Sequence, residues 1–519
     1  MSLRLGSCLL VLASVTAAVL LASLGLHATA GNVPVSFTYG ELPASIHEPT
    51  SLAFGPDGRL YVATTTEIHA LTLTADGLGV VDDETIVGDL SWVLGIAFDP
   101  AAPPSPVTIY ASHQDPSATV GFNGAVSKFT GPDWMRVPVV SGLPTSNQNP
   151  TGQITYNHMT NGVAFDATGK LFIAQGSASD GGLPVPYFHE TPLSAAILSA
   201  DIHAPGFDGA ITYDPPGPPA DFNVDQVSGD VSVYAPGLRN PYDLVLHSNG
   251  HMYATDNGPM GLLTSATCST TTGPTSTSDK LNLVVEGDYY GFPNRNRGRT
   301  DPRQCTYHAP SEAASADFTP PLIVLPNHCS CDGLAEYTSD AFGGQMRGDL
   351  IYAEWSTGRI SRLRLADGGT AYLDTTPLSS AFASPLDVVV ASNGTIYVAE
   401  YSGNVVSYLA PEGSPATPLP TPTPSATSIG PTATPGPTAT PKPGPTATAT
   451  PGAGLVGDVN CDGVVDSIDA ALVLQFTAGL FLPLPCAEAA DVDESGSIDA
   501  IDAALILQLE AGLIDHLPP

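Results

Sequence analysis

Residues 162–177 read GVAFDATGKLFIAQGS. Apolar residues alternate on both sides of Asp166-Ala167-Thr168-Gly169, the pattern of two antiparallel strands joined by a tight turn. The unit recurs as SLAFGPDGRLYVAT from Ser51, as LGIAFDP from Leu94 with VTIYASH from Val107, and as DLVLHSNGHMYATDNG from Asp243. It returns as GLAEYT from Gly333 with GDLIYAEW from Gly348, and as DVVVASNGTIYVAEY from Asp387. That makes six copies, and no helical period of comparable strength interrupts them. Repeated hairpins separated by long insertions predict a mainly β fold, a six-bladed β-propeller with one unit per blade. The longest insertions, 112–157, 177–231 and 260–279, are expected to supply the loops of a functional face.

Beyond the repeat the chain changes character. Residues 1–30 start with Arg4, run apolar to about Leu26 and end on Ala28-Thr29-Ala30. That is the form of a secretory signal peptide, cleaved before Gly31. No later stretch is apolar for long enough to span a membrane, so none is expected after cleavage. The propeller is assigned to 31–410, and 411–453 reads as an extended Pro/Thr-rich linker. A small C-terminal domain fills 454–519. The chain of 519 residues carries 16 Lys plus Arg against 51 Asp plus Glu, a net charge of -35. Nucleic acid and anionic membrane surfaces both need a basic patch, so this charge argues against them. It suits an extracellular protein that binds calcium.

Cysteines support export. Beyond Cys8 in the signal there remain Cys268, Cys305, Cys329, Cys331, Cys461 and Cys486, an even set that favours disulfides. Cys461 and Cys486, isolated beyond the linker, are expected to pair. A bridge across one residue is geometrically unfavourable, so Cys329 and Cys331 are expected to pair outward with Cys268 and Cys305. The rival is a metal site of His328 with the Cys-x-Cys pair.

Near the C-terminus, Asp458–Asp469 reads DVNCDGVVDSID and Asp491–Asp502 reads DVDESGSIDAID, starting 33 residues apart. Each places oxygen side chains at positions 1, 3, 5, 9 and 12 and Gly at position 6 of a 12-residue calcium loop. The first ligand set is Asp458, Asn460, Asp462, Asp466 and Asp469 with the carbonyl of Val464. The second is Asp491, Asp493, Ser495, Asp499 and Asp502 with the carbonyl of Ser497. Helices are expected from Ala470 and Ala503, closing near Gly479 and Gly512. Residues 454–519 hold 12 acidic residues and no Lys or Arg, so without calcium this module should lose its fold.

These duplicated loops, each followed by D-A-A-L-x-L-Q-x-x-A-G-L, resemble a type I dockerin, a small α-helical module with two EF-hand-like calcium loops. The resemblance implies calcium-dependent binding to a cohesin module of a scaffoldin or surface protein, and an association with polysaccharide breakdown. In that family, positions 10 and 11 of each loop help select the cohesin; here they are Ser467-Ile468 and Ala500-Ile501.

The propeller resembles the glucose/sorbosone dehydrogenase family, which uses pyrroloquinoline quinone (PQQ) and calcium. The resemblance rests on His158 ahead of its apolar strand and Gly turn, on Gly237-Leu238-Arg239-Asn240-Pro241, and on Gly258-Pro259. It rests further on Asp279-Lys280-Leu281-Asn282-Leu283 and Tyr290-Gly291-Phe292-Pro293-Asn294. It implies an oxidoreductase acting on an aldose. His158 would take the proton from the anomeric hydroxyl as hydride moves to PQQ. Arg239 would stabilise charge on the reduced quinone, with Asn240 beside it. The carbonyls of Gly258 and Pro259 would hold calcium. The family's basic residues ahead of the last inner strand are replaced by Ser384-Pro385-Leu386, and its lysine before the fifth hairpin by Ser356. The alternative is a non-catalytic propeller that binds carbohydrate or protein and is displayed through the dockerin.

Overall fold

The computed structural model describes residues 35–118, 121–145, 158–179, 190–214, 224–259, 263–264, 271–272, 278–292 and 318–412. In the C-terminal region it describes 456–457, 459, 465, 467–477, 486–493, 495, 497–498, 500–510, 514 and 516–517. The signal segment and nearly all of the linker lie outside these residues, as do Gly479 and Gly512. Two compact units emerge, 1–427 and 428–519.

In the first unit, six four-stranded antiparallel sheets form a propeller. From the axis outward, blade 1 is Pro49–Phe54, Leu60–Thr64, Ile68–Leu73 and Val80–Val87. Blade 2 is Gly95–Phe98, Thr108–Gln114, Gly124–Thr130 and Met135–Leu143. Blade 3 is Thr160–Phe165, Leu171–Gln175, Ala196–Ala200 and Ser232–Pro236, and blade 4 is Pro241–Leu246, Met252–Asp256, Ser278–Val284 and Ile323–Asn327. Blade 5 is Cys331–Glu336, Leu350–Glu354, Arg359–Leu365 and Tyr372–Ser379. Blade 6 is Pro385–Val390, Ile396–Glu400 and Val405–Pro411, completed by Phe37–Glu41 from the other end of the chain.

Sequence explains this layering. The second strands of blades 1, 3, 4, 5 and 6 are buried at every position because neighbouring blades cover both sheet faces. The outermost strand Tyr372–Ser379 is largely exposed. Each seam between blades holds an apolar cluster, such as Tyr61, Ile68 and Ile109 between blades 1 and 2. The turns are fixed by acidic side chains. Asp166 Oδ1 accepts the amides of Thr168 (2.9 Å) and Lys170 (3.0 Å), and Gly169 takes φ +81°.

Inner strands leave one edge facing the axis, where unpaired amides need partners. Asp387 meets this need at the ring's closing seam. Its Oδ2 accepts Leu52 N of blade 1 (2.7 Å) while Oδ1 accepts Val388 N (2.7 Å). Asp243 repeats the device from blade 4 to Leu334 N of blade 5 (2.9 Å), and Ser51 Oγ receives Ile96 N of blade 2 (3.2 Å). Glycine faces these latches. A Cβ on Gly333 would lie 2.4 Å from Asp387 Cα, and one on Gly162 would lie 2.6 Å from Asp243 Oδ1.

Three expectations are corrected. The stretches 112–157 and 177–231 are not simply loops. They carry the third and fourth strands of blade 2 and the third strand of blade 3, and the second also holds a side hairpin of Thr212–Asp214 with Asp225–Ser228. Cys329 is bonded to Cys331 rather than outward, because His328 (φ +47°) and Ser330 (φ +44°) turn the chain until the two Cα atoms are 5.2 Å apart. Cys268 and Cys305 lie outside the described residues. In the second unit, helices α1 (Ser467–Thr477) and α2 (Ala500–Glu510) start three residues before the expected Ala470 and Ala503. Asp469 and Asp502 therefore sit in the first turn, where exposed amides favour negative charge. Both helices pack on Val459, Val473, Val492 and Ile506.

Asp387→Ala strands the amides of Leu52 and Val388 and should cost roughly 1–3 kcal/mol. Trp92, Trp134 and Trp355 all belong to the propeller, so tryptophan fluorescence during urea unfolding reports this unit. Burial raises the Asp387 carboxyl well above its ordinary range, the nearby Asp243 adding to it. A raised folded pKa gives stability that is full at low pH and lost as pH rises. The deficit of Asp387→Ala should therefore be larger at pH 5 than at pH 8.

Candidate active site and calcium loops

In an antiparallel blade, the start of the first strand and the end of the second lie at the same end. His158 precedes the inner strand of blade 3, and Arg239 and Asn240 precede that of blade 4. Gly258 and Pro259 follow the second strand of blade 4, and Ser177 follows that of blade 3. All six therefore gather at one mouth of the channel.

Ser177 joins the two principal residues, bonding the ring of His158 and the backbone of Arg239. Its amide donates to the Arg239 carbonyl (2.8 Å), its carbonyl accepts the His158 amide (3.1 Å), and its Oγ lies 3.1 Å from His158 Nδ1. Arg239 is buried, and its Nη1 donates to the Asn257 carbonyl (3.1 Å). The Asn240 amide donates to Asp256 Oδ1 (2.9 Å), and its side-chain oxygen accepts Asn161 Nδ2 (2.9 Å). Asn161 also donates to the Pro241 carbonyl (2.8 Å). Behind them, Lys280 Nζ and Asp256 Oδ2 form a buried ion pair of 2.9 Å. Lys280 thus braces the Arg-Asn-Pro turn from below.

Burial drives the electrostatics. It holds His158 well below the usual imidazole range, and the Arg239 charge pushes the same way. The ring is therefore neutral at pH 7 and able to accept a proton. Burial also raises the carboxyl of Asp279, and that of Asp332 to about 7.

Oxygen atoms collect beside Gly258 and Pro259. Asp279 Oδ1 accepts the Gly258 amide (2.8 Å), and Asp332 Oδ1 accepts Asn257 Nδ2 (2.8 Å). Asn257 Oδ1 is buried and has no hydrogen-bond partner among the described residues. An orphaned amide oxygen, two carboxylates and two backbone carbonyls fit a calcium ion. The Cys329–Cys331 bridge packs here, with Cys329 Sγ 3.3 Å from Asp279 Oδ2. As a disulfide the pair is not the metal site considered with His328, whose Nε2 bonds the Pro259 carbonyl (3.3 Å).

PQQ is a tricarboxylate and calls for cations. Arg239 supplies one beside His158. Of the described arginines of blade 5, Arg359 pairs with Glu354 (3.6 Å), Arg362 with Asp349 and Arg364 with Asp374 (3.4 Å). The donor set fits calcium; toward an anionic quinone the described residues offer Arg239 beside His158, the blade 5 arginines being taken up in ion pairs. Tyr289 and Tyr290 are packing residues. Tyr290 is buried, and its hydroxyl bonds the Leu283 carbonyl (2.6 Å).

In the second unit, carboxylate oxygens of Asp491, Asp493 and Asp502 lie within 4.8 Å of one another. Asp502 Oδ1 accepts the Val492 amide (2.8 Å), and Asp469 Oδ1 accepts the equivalent Val459 amide (2.8 Å), so the loops share one construction. The Ser495 amide donates to Asp491 and Asp493 (both 3.0 Å), and Ser495 Oγ to the Ser497 carbonyl (3.3 Å). Asp458, Asn460, Asp462, Val464, Asp466 and Asp499 lie outside the described residues. Ala500 and Ile501 open α2 and are exposed, Ile501 by 58%. Ser467 and Ile468 open α1. Cys486 is disulfide-bonded, and its expected partner Cys461 lies outside the described residues.

Residues 46–406 match the family model described as Glucose / Sorbosone dehydrogenase. The chain belongs to the glucose/sorbosone dehydrogenase family. Residues 456–509 match the Dockerin type I domain. A curated relative, quinoprotein glucose dehydrogenase B of Acinetobacter calcoaceticus, is 23% identical over 278 residues, 48% of this chain. The chain spans about half of that relative's length, 51%. The PQQ domain of a pyranose dehydrogenase from Coprinopsis cinerea, solved in its holo form, is 15% identical. It covers 73% of this chain and 96% of its own, with a TM-score of 0.50, a likeness of fold. An aldose sugar dehydrogenase from Streptomyces coelicolor is 19% identical over 73% of this chain and 99% of its own, with a TM-score of 0.47.

Asn161, Asn257 and Asp332 were not singled out in the sequence, although Asn161 and Asn257 stand beside its motifs. Glu190, behind Ser177, has no motif at all.

Carboxylates this close repel one another unless a cation is bound. EDTA should open 456–509 to protease while the tryptophan signal of the propeller stays folded. Asp502→Ala should open the same region even in millimolar calcium, read by gel and mass spectrometry of the fragments.

Proposed function

We propose that this protein is an exported, calcium- and PQQ-dependent aldose oxidoreductase, held by its dockerin on a cohesin of a scaffoldin or cell surface. The observation that carries this reading is the junction at Ser177, which sets a neutral His158 beside a buried Arg239 next to the oxygen cluster of Asn257, Asp279 and Asp332. When bound, the quinone supplies the two-electron acceptor. His158 accepts the proton of the anomeric hydroxyl at Nε2. Arg239 faces the charge that develops during oxidation. Asn240, locked by Asn161 and Asp256, lines the same pocket. The carbonyls of Gly258 and Pro259 with Asn257 Oδ1 would hold one calcium, and each dockerin loop would hold another. The substrate is a free sugar or a sugar end released from polysaccharide.

One observation favours a non-catalytic carbohydrate- or protein-binding propeller. The positions where the family carries basic residues are Ser356 and Ser384-Pro385-Leu386, and the blade 5 arginines are held in ion pairs.

Calcium and PQQ added to the full chain should yield dye reduction with aldoses. His158→Ala should lower kcat about 100-fold or more, and Arg239→Ala should cost a similar factor. No PQQ binding at micromolar concentration would leave the non-catalytic reading standing. For the tether, cohesin capture should be lost in EDTA. With two equivalent loops, Ile501→Asp alone should keep capture, and Ile468→Asp with Ile501→Asp should abolish it.

A further inference from the structure

We propose that Glu190 is a positioning residue for His158, acting through Ser179 and Ser177 to fix its Nδ1–H tautomer and leave Nε2 as the proton acceptor. This rests on the reading of His158 as the base. The protons can be assigned one at a time. Ser177 Oγ lies 2.5 Å from the Ser179 carbonyl, which can only accept, so the single hydroxyl proton of Ser177 points there. The contact of 3.1 Å between Ser177 Oγ and His158 Nδ1 then needs its proton from the ring. A neutral imidazole has one N–H, so the lone pair is left at Nε2.

Glu190 holds the Ser179 carbonyl in that direction. Its Oε1 accepts the Ser179 amide (2.8 Å) and hydroxyl (2.5 Å). Its Oε2 accepts the Ala178 amide (2.9 Å) and the Ser194 hydroxyl (2.6 Å). Four donors converge on a buried carboxylate and occupy its lone pairs. Turn 177–179 is therefore wrapped around the carboxylate on one side and bonded to His158 and Arg239 on the other. A glutamine at 190 would aim an NH2 at two donors and release the turn. Loss of the Ser177 hydroxyl would remove the acceptor for Nδ1–H while keeping its backbone bonds to His158 and Arg239.

The test is ¹⁵N-histidine NMR of the full chain in calcium, without quinone. The His158 signals are those absent from His158→Gln. The wild type should show Nδ1 protonated and Nε2 bare. Ser177→Ala and Glu190→Gln should move His158 toward the Nε2–H form, and Ser177→Thr should restore the wild-type pattern. An Nε2–H ring in the wild type, or a pattern unchanged in both variants, overturns the proposal. With PQQ added, both variants should lose at least tenfold in kcat at an unchanged KM. Retained turnover in His158→Gln would sink the reading of His158 as base, while the NMR pattern still decides the relay.

Discussion

The propeller depends on one antiparallel pairing between residues from opposite ends of its sequence. Phe37–Glu41 lies along Val405–Pro411, from Phe37 opposite Pro411 to Glu41 opposite Ser407. Without it, blade 6 would end in an open edge, and the last seam would keep only side-chain packing and side-chain hydrogen bonds such as that of the Tyr397 hydroxyl to the Gly77 carbonyl (2.7 Å). That seam contains Leu42, Ile46, Leu52, Ala399 and Val406, drawn from both ends of the domain. Closure also reaches the axis, because Asp387 can bond Leu52 only if blades 6 and 1 are neighbours. His158 and Arg239 belong to different sheets, so their proximity follows from ring geometry rather than from local sequence.

Within the ring, desolvation acts in opposite directions on the two sides of the mouth. It keeps His158 uncharged, and it raises the carboxyls of Asp279 and Asp332. A buried pair of carboxyls with an orphaned amide oxygen nearby would be balanced by a divalent cation, whose charge would reverse the local shift. Lys280 cannot serve that purpose, because it is bonded to Asp256 under Asn240. Lys280 therefore supports the scaffold of the site.

Legibility in the sequence followed the range of the interactions. Second strands announce themselves because burial on both faces demands apolar runs, and their turns need Gly and Asp. Outer strands such as Tyr372–Ser379, reading YLDTTPLS, face solvent and carry no such pattern. Of the three blade strands inside the expected insertions, Met135–Leu143 is of this kind, while Gly124–Thr130 and Ala196–Ala200 are buried but lie outside the inner hairpins that a Gly turn marks. Calcium loops were legible because their ligands are neighbours in sequence. The Arg-Asn-Pro turn was legible as a motif, but its supports were not: Asn161, Asp256 and Lys280 reach it from three different strands. The Cys329–Cys331 bridge was missed because nothing in His328 or Ser330 announces left-handed backbone. Glu190 acts through four donors that converge only once the turn at 177–179 is folded.

The tether and the proposed site draw on the same ion by different means. In the dockerin loops, carboxylates supply most of the ligands, and affinity rises with ligand charge. In the propeller pocket, backbone carbonyls and one amide oxygen take a larger share, with Asp279 and Asp332 already engaged by the Gly258 amide and Asn257 Nδ2. The loops should therefore fill at lower calcium than the pocket. Under the proposed function, falling calcium would empty the pocket first while the dockerin kept its fold and its cohesin. The protein would then remain in place with its oxidising site silent, and would recover activity without having to dock again.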